Sequence, residues 1–210
     1  MTAPFSELQP GSFRAIVADP PWHFKARTAL QAENWSSRRD VEKHYSTMSL
    51  EGIAALPVSQ IAARDAHLFL WTTGPCLPDA FNIIKAWGFR YSGSGFVWVK
   101  LKKTQGRLIR FVSSADLDRE LHCGLGLTTR KNVEFCLLAR RGNARRIARD
   151  VREVIMAPVR EHSRKPDEAY ARVERYCEGP YLELFARESR PGWSTWGNEA
   201  TKFDALPEVA

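Results

Sequence analysis

One short stretch combines a carboxylate, two prolines and an indole directly after an apolar run. Residues 15–18 are apolar, and Asp19, Pro20, Pro21 and Trp22 follow them. Proline has no backbone N–H and cannot continue a central strand ladder, so the chain must leave the predicted strand at Asp19. Ligands of open α/β sheets bind outside the carboxyl ends of the strands. The corner is therefore a candidate catalytic site, and a plain strand end followed by a loop is the alternative.

The residue types at this corner suit an exocyclic amine of a heteroaromatic ring attacking an electrophile. The lone pair of such an amine is delocalised into the ring, which makes the amine a poor nucleophile. The carboxylate of Asp19 and the carbonyl of Pro20 could each accept one N–H bond, which would direct the lone pair outward. Trp22 could stack on the ring, a contact worth about 1–3 kcal/mol per base, or it could be a packing residue. Such a site acts by positioning and electrostatics and needs no strong base.

Other signatures of α/β enzymes are missing from the sequence. The sequence Gly-Leu-Gly at 124–126 precedes a predicted strand and lacks the third glycine of a dinucleotide fingerprint. No Walker phosphate loop and no Gly-x-Ser-x-Gly nucleophile elbow occurs. These absences leave the acidic corner as the strongest candidate for chemistry.

Composition narrows the class of protein further. The 210 residues carry 31 Lys and Arg against 24 Asp and Glu, a net charge of +7 that favours contact with a polyanion. The four cysteines are widely spaced with no Cys-x-x-Cys pair, which indicates neither a metal site nor a disulfide framework. Neither a signal peptide nor a run of about 18 apolar residues is apparent. We therefore expect a cytoplasmic protein with no membrane span.

Strand and helix patterns alternate along the chain. Apolar runs predict six strands, at 13–18, 67–72, 95–100, 133–139, 153–157 and 181–187. Capping and periodic signals predict helices that begin near residues 49, 78 and 166. Segments 23–44 and 101–131 read as irregular basic loops, 140–149 as a basic turn and 191–198 as a tail. The alternation predicts an α/β fold of one domain, 1–210, with a mostly parallel sheet and helices on both faces.

Several motifs occur together in a fixed order. Asp-Pro-Pro-Trp at 19–22 is followed by Tyr-Ser-Thr-Met at 45–48, Leu-Trp at 70–71, Trp-Val-Lys at 98–100, Lys-Pro-Asp-Glu at 165–168 and Glu-Leu-Phe-Ala-Arg at 183–187. This set resembles the adenine-N6 methyltransferases related to the catalytic subunit of the eukaryotic mRNA adenosine methyltransferase. The resemblance covers residues 15–199, and bacterial and phage members of this family are similar in length to this chain.

The resemblance implies a permuted Rossmann-like methyltransferase that binds S-adenosylmethionine, with the catalytic motif before the cofactor motif. It assigns catalysis to Asp19, Pro20, Pro21 and Trp22. It assigns cofactor binding to Asp19, Ser163, Lys165, Phe185, Arg187, Asn198 and Glu199, and target-base binding to Tyr45, Trp71, Trp98 and Lys100. Residues 188–190 (Glu-Ser-Arg) depart from the histidine and asparagine frequent in eukaryotic members, so they carry no assignment.

The expected reaction is methyl transfer to the N6 amine of adenine in DNA. The loops at 23–44 and 101–131 would grip phosphates and extrude the base, because a stacked adenine cannot reach the corner. RNA is the nearest alternative substrate, and the residues do not separate the two. A catalytically inactive nucleic-acid-binding subunit and a methyltransferase for a small molecule or protein are further alternatives. A monomer and a homodimer are both compatible with the sequence.

Overall fold

The computed structural model describes residues 4–22, 47–103, 113–124, 129–161 and 164–204, and seven strands in these ranges form one sheet. The strands are β1 (Phe13–Ala18), β2 (Ala62–Thr72), β3 (Arg90–Leu101), β4 (Val133–Arg141), β5 (Val154–Pro158), β6 (Tyr181–Leu184) and β7 (Trp193–Trp196). Their order in the sheet is β5-β3-β4-β2-β1-β6-β7. Only β4 pairs antiparallel with both of its neighbours, and the other pairings are parallel. The predicted mostly parallel α/β sheet is confirmed.

Five α-helices lie in the described ranges. They are α1 (Leu50–Ala54), α2 (Val58–Ile61), α3 (Leu77–Ala86), α4 (Ser114–Glu120) and α5 (Asp167–Tyr176). Ser49 caps α1 by accepting a hydrogen bond from the backbone N–H of Gly52, as its position in the sequence predicts. Within these ranges, no helix has the length and apolar character that a membrane crossing requires.

The core lies on both faces of the sheet. Side chains of successive strand residues point to opposite faces, so Ile16 and Val17 of β1 belong to different apolar clusters. The first cluster packs against α1, α2 and α3, and the second packs against α5. Each cluster removes strand and helix surface from water, which stabilises the sheet as a three-layer arrangement.

Strands β2 and β3 each begin five residues earlier than predicted, and β6 ends three residues earlier. Two further segments differ in the type of structure that they form. Residues 193–196 form β7 rather than a tail, since they pair with β6 and the ring of Trp193 stacks on Tyr181 at 4.9 Å. Four residues are too few for a clear alternation, so this strand depends on its neighbour. The segment 101–131 is not wholly irregular, because it contains α4, whose N-cap Ser113 accepts from Asp116. The loop at 23–44 lies outside the described residues.

The strand directions decide which residues meet at the site. Parallel strands β1, β2, β3 and β6 all end at one edge of the sheet, where Asp19 follows β1. Because β4 runs in the opposite direction, it brings its first residues to this edge. Phe135 pairs with Thr72, the last residue of β2, and Glu134 pairs with Trp98.

Candidate active site at the carboxyl edge of the sheet

A cleft of about 940 Å³ opens at this edge. The acidic corner forms one wall, and the cleft is also lined by residues from the ends of β2 and β3, the start of β4, the segment before α5 and the segment after β6. Its lining includes Asp19, Pro20, Pro21, Trp22, Thr72, Thr73, Trp98, Lys100, Glu134, Lys165 and Arg187. The fold thus brings the first and last motifs of the sequence into one cavity.

Asp19 forms a close ion pair with Lys165. Oδ2 of the carboxylate accepts a hydrogen bond from Nζ at 2.5 Å, although the two residues are 146 positions apart. Lys165 immediately precedes the N-cap of α5, and its side chain is 5% exposed. Oδ1 of Asp19 accepts no hydrogen bond from any residue that the structure describes, so one carboxylate oxygen remains available to a ligand.

Glu134 contacts two lysines of the site, and it was not assigned to the site from the sequence. Its Oε1 accepts from Nζ of Lys100 at 2.5 Å, and its Oε2 lies 3.3 Å from Nζ of Lys165. Together with Asp19, these side chains form a chain of alternating charge. The available signal was a lone carboxylate in an otherwise apolar strand, since a buried charge requires a partner. We call the four residues (Asp19, Lys165, Glu134 and Lys100) the charge chain.

Burial and pairing have opposing effects on the pKa values of the charge chain. Burial raises the pKa of Asp19 above 3.8, and Glu134 adds to this rise while Lys165 opposes it. Burial would also raise the pKa of Glu134, but Lys165 and Lys100 bring it below its usual value. Burial tends to lower the pKa of Lys165, yet Asp19 and Glu134 raise it well above 10.5. Lys165 therefore stays positively charged at any physiological pH.

The corner itself is held by hydrogen bonds from Trp22. The indole Nε1–H donates to the carbonyl of Trp71 at 3.1 Å, and the ring is 4% exposed. The backbone N–H of Trp22 donates to the carbonyl of Pro20 at 2.8 Å. Of the two roles left open for Trp22, this geometry favours packing. One lone pair of the Pro20 carbonyl is used, and the second can still accept a ligand N–H.

The residues assigned to the target base occupy different depths. Trp98 and Lys100 line the cleft, with Nζ of Lys100 at 4.9 Å from the centroid of the Trp98 ring. Trp71 is 1% exposed and lies beneath the charge chain, 5.5 Å from Nζ of Lys165. Tyr45 lies outside the described residues. The structure thus brings Trp98 and Lys100 to the cavity, with Trp98 only 3% exposed, and places Trp71 in the core.

The residues assigned to the cofactor flank the end of β6. Arg187 lines the cleft and pairs with Glu199 at 3.0 Å. Phe185 has a φ of 62° and contacts the ring of Trp196 edge-on at 5.7 Å. Asn198 is exposed on a turn and does not line the cleft. Ser163 lies outside the described residues.

A mostly parallel α/β sheet with an acidic corner and a large cleft at its carboxyl edge has the architecture of a Rossmann-like methyltransferase. Residues 13–199 match the model of the MT-A70 family, and the chain belongs to that family.

The relatives differ greatly in length. The chain is 29% identical over 208 residues to the type II methyltransferase M.MunI from Mycoplasma sp, covering 93% of this chain and 81% of that protein. It is 32% identical over 193 residues to the N(6)-adenosine-methyltransferase MT-A70-like protein of Drosophila melanogaster, covering 90% of this chain but 27% of that protein. The chain is 29% identical over 204 residues to the N(6)-adenosine-methyltransferase catalytic subunit METTL3 of Homo sapiens, covering 95% of this chain and 30% of that protein.

MT-A70 methyltransferases use S-adenosylmethionine as methyl donor, and the cleft fits this molecule. The ligand carries a carboxylate, an ammonium, a sulfonium and two ribose hydroxyls. The walls offer two cationic side chains, Lys165 and Arg187, that match the carboxylate of this ligand. A volume of about 940 Å³ is at the upper end of the usual range for ligand pockets, leaving room for a second molecule.

Proposed function

We propose that this protein transfers a methyl group from S-adenosylmethionine to the exocyclic N6 amine of adenine in DNA. The observation that carries the proposal is the Asp19–Lys165 pair on the wall of the cleft, with Oδ1 of Asp19 available to a ligand. This pair supports an acceptor for the amine and a cationic partner that favours the ionised form of the acceptor.

Asp19 acts as a hydrogen-bond acceptor for one N–H of the target amine. The carbonyl of Pro20 accepts the other N–H, and together the two acceptors orient the nitrogen lone pair. S-adenosylmethionine supplies an electrophilic methyl group when bound. The amine becomes much more acidic once alkylated, so its proton can pass to water or to a carboxylate without a strong base. The contribution of the protein is alignment of the reacting atoms and electrostatic stabilisation.

Glu134 and the two lysines hold the acceptor in place. Lys165 fixes the carboxylate of Asp19 by its 2.5 Å hydrogen bond, and Glu134 in turn holds Lys165 and Lys100. Since Trp98 and Lys100 lie side by side on the cleft wall, they are the proposed contacts of the flipped base. Arg187 and Glu199 are the proposed contacts of the cofactor ribose.

A nucleic-acid substrate is supported by the charge of the cleft. Exposed Arg130 and Lys131 line it together with Arg160, so a backbone entering the cleft meets cationic side chains. DNA is favoured over RNA by the similarity to the type II methyltransferase M.MunI, which is 29% identical over 208 residues.

The test is a methylation assay with purified protein and labelled S-adenosylmethionine. Single- and double-stranded DNA and RNA of matched sequence are compared, and modified nucleosides are identified by mass spectrometry. We expect N6-methyldeoxyadenosine in the DNA samples. Methyl transfer confined to RNA would overturn the DNA assignment in favour of the second substrate. Binding of S-adenosylmethionine without transfer to any nucleic acid would overturn the proposed reaction.

A further inference from the structure

A second cationic surface lies away from the cleft. Six arginines and one aspartate occur between residues 140 and 152. The exposed members are Arg140, Arg145, Arg146, Arg149 and Arg152, and we call them the far-edge arginines. None of the residues 136–158, all of which are described, lines the cleft. The function proposed above therefore makes no use of this surface.

The reversed direction of β4 places these arginines at the opposite edge of the sheet. Arg140 pairs with His67 and Arg141 with Ala66, near the start of β2, whereas the cleft begins at Thr72. Thr72 lies six residue steps beyond Ala66 along β2, which corresponds to about 20 Å at about 3.3 Å per residue. A ligand contacting the arginines is thus well separated from the reacting atoms.

Among the residues that the structure describes, no acidic side chain compensates the charge of the far-edge arginines. None of the five forms an ion pair with any residue in the described ranges, in contrast to the paired Arg164 and Arg190 near α5. Asp150, the one acid between residues 140 and 152, pairs with Arg175 instead. Five like charges on one short segment repel one another, and a polyanion would relieve this repulsion.

Backbone contacts hold the segment in a defined shape. The N–H of Asn143 donates to Oδ1 of Asp65 at 2.6 Å, and the N–H of Ile147 donates to the carbonyl of Tyr176 at 2.8 Å. Gly142 has a φ of +59°, and a Cβ there would collide with Asp65. These contacts fix the backbone of the turn, and because the exposed guanidinium groups take no part in them, the groups remain accessible from solvent.

We propose that the far-edge arginines bind the phosphodiester backbone of nucleic acid at a surface separate from the cleft. Arginine remains charged at all relevant pH values, and its planar fork matches the oxygens of a phosphate. A lipid surface would require an apolar face to insert, and Ile147 is the single exposed large apolar side chain between residues 140 and 152. Because contacts to phosphates carry no sequence information, binding at this surface is independent of base sequence.

The proposal is tested by the salt dependence of binding, which needs no catalysis. A labelled duplex of random sequence is titrated by fluorescence anisotropy at 50–300 mM KCl. The wild type is compared with Arg145→Gln/Arg146→Gln/Arg149→Gln and with the charge-retaining variant carrying lysine at the same three positions. Each lost phosphate contact should reduce the slope of log K against log salt by about 0.9, so we expect a reduction of about 2–3 for the glutamine variant. The lysine variant should keep the wild-type slope.

Each other outcome has a definite meaning. An unchanged slope in the glutamine variant would overturn the proposal, as would an equal loss in the lysine variant, because the contact would then not depend on charge. Loss of binding to phosphatidylserine vesicles without a change in the DNA slope would overturn it in favour of a lipid surface. A reduced slope in a protein that methylates no nucleic acid would uphold the far-edge contact while the proposed reaction fails. Normal methylation with an unchanged slope would uphold the proposed reaction and overturn the far-edge contact.

Discussion

At the scale of single residues, the charge chain supplies each buried carboxylate of the site with a cationic partner. Asp19, Lys165, Glu134 and Lys100 alternate in sign, and each inner member has two partners. Removing one member of a buried pair leaves an uncompensated charge, which is usually more costly than the pair is stabilising. Substitutions here should therefore preserve shape where possible.

Asp19→Asn is the most direct test of the acceptor. The amide retains one carbonyl oxygen but lacks the negative charge, so we expect kcat to fall by about 100-fold or more. Affinity for S-adenosylmethionine, measured by calorimetry, should change by no more than a few-fold. The exposed Glu178→Gln, which removes a surface ion pair with Arg14, is the matched control. A wild-type kcat in Asp19→Asn would show that the corner has only a structural role.

Lys100→Met should affect the target more than the cofactor. Its side chain lies beside Trp98 on the cleft wall and is held by Glu134. We expect KM for the nucleic acid to rise by roughly 10-fold, as for the loss of one charge-assisted contact of about 1.5 kcal/mol, with little change in cofactor affinity. Steady-state kinetics with each substrate varied in turn measures the two effects. The reverse pattern would assign Lys100 to the cofactor.

At the scale of elements, the site is held together by contacts between strand ends. Trp22→Phe removes the indole hydrogen bond to the carbonyl of Trp71 and leaves that buried oxygen without its donor. We expect the free energy of unfolding to fall by about 1–3 kcal/mol in denaturant titrations. Trp196→Phe is the control, since its indole N–H makes no hydrogen bond within the described ranges. Unchanged stability in Trp22→Phe would argue against the packing role.

Glu183 connects β6 to α5 and makes stability depend on pH. Its Oε1 accepts from the hydroxyl of Tyr170 at 2.6 Å, and burial raises the pKa of its carboxyl from 4.5 to about 7. Between these values the folded protein keeps a proton that the unfolded chain has lost. The free energy of unfolding therefore decreases as pH rises from 4.5 to 7, and the loss is complete above pH 7.

Glu183→Gln should remove this dependence. The decrease in the free energy of unfolding between pH 5 and pH 8 should become smaller by on the order of 1–3 kcal/mol, because glutamine does not titrate. Urea titrations at the two pH values measure the difference. Glu178→Gln, an exposed carboxylate, should leave the wild-type dependence in place. An identical pH dependence in Glu183→Gln would mean that other groups are responsible.

At the scale of the whole molecule, the reversal of β4 separates two cationic surfaces. The first residues of β4 reach the cleft, and its last residues reach the far-edge arginines. One surface thus surrounds the proposed chemistry, while the other is free to contact a backbone elsewhere. Neither arrangement would follow if β4 ran parallel to β2.

The reactivity of the cysteine thiols tests both the burial of the core and the accessibility of the cleft. All four cysteines are free; Cys76, Cys136 and Cys177 are buried, and burial raises the pKa of each. Cys123 is exposed and lines the cleft. We expect N-ethylmaleimide to modify one thiol rapidly by mass spectrometry, and Cys123→Ser to abolish that reaction. Bound nucleic acid should slow it. Rapid modification of two or more thiols in the native protein would contradict this burial pattern.

Much of the fold was predictable because its signals are local. Apolar runs and prolines identify six strands, and Ser49 marks the beginning of α1. The seventh strand was not predicted, since Trp193–Trp196 is short and depends on pairing with β6. Glu134 was missed for a similar reason: its meaning depends on two lysines that are distant in the chain.

The amino-acid sequence by itself determined the acidic corner, the mostly parallel sheet and the order of the motifs, because proline geometry and side-chain periodicity act over a few residues. Tertiary structure alone decided that Lys165 meets Asp19 across 146 residues, that Trp22 is buried, and that the arginines after β4 lie far from the cleft. These outcomes depend on strand direction and register. Both are set by the packing of the whole sheet, since each strand must bury its apolar faces against several neighbours at once.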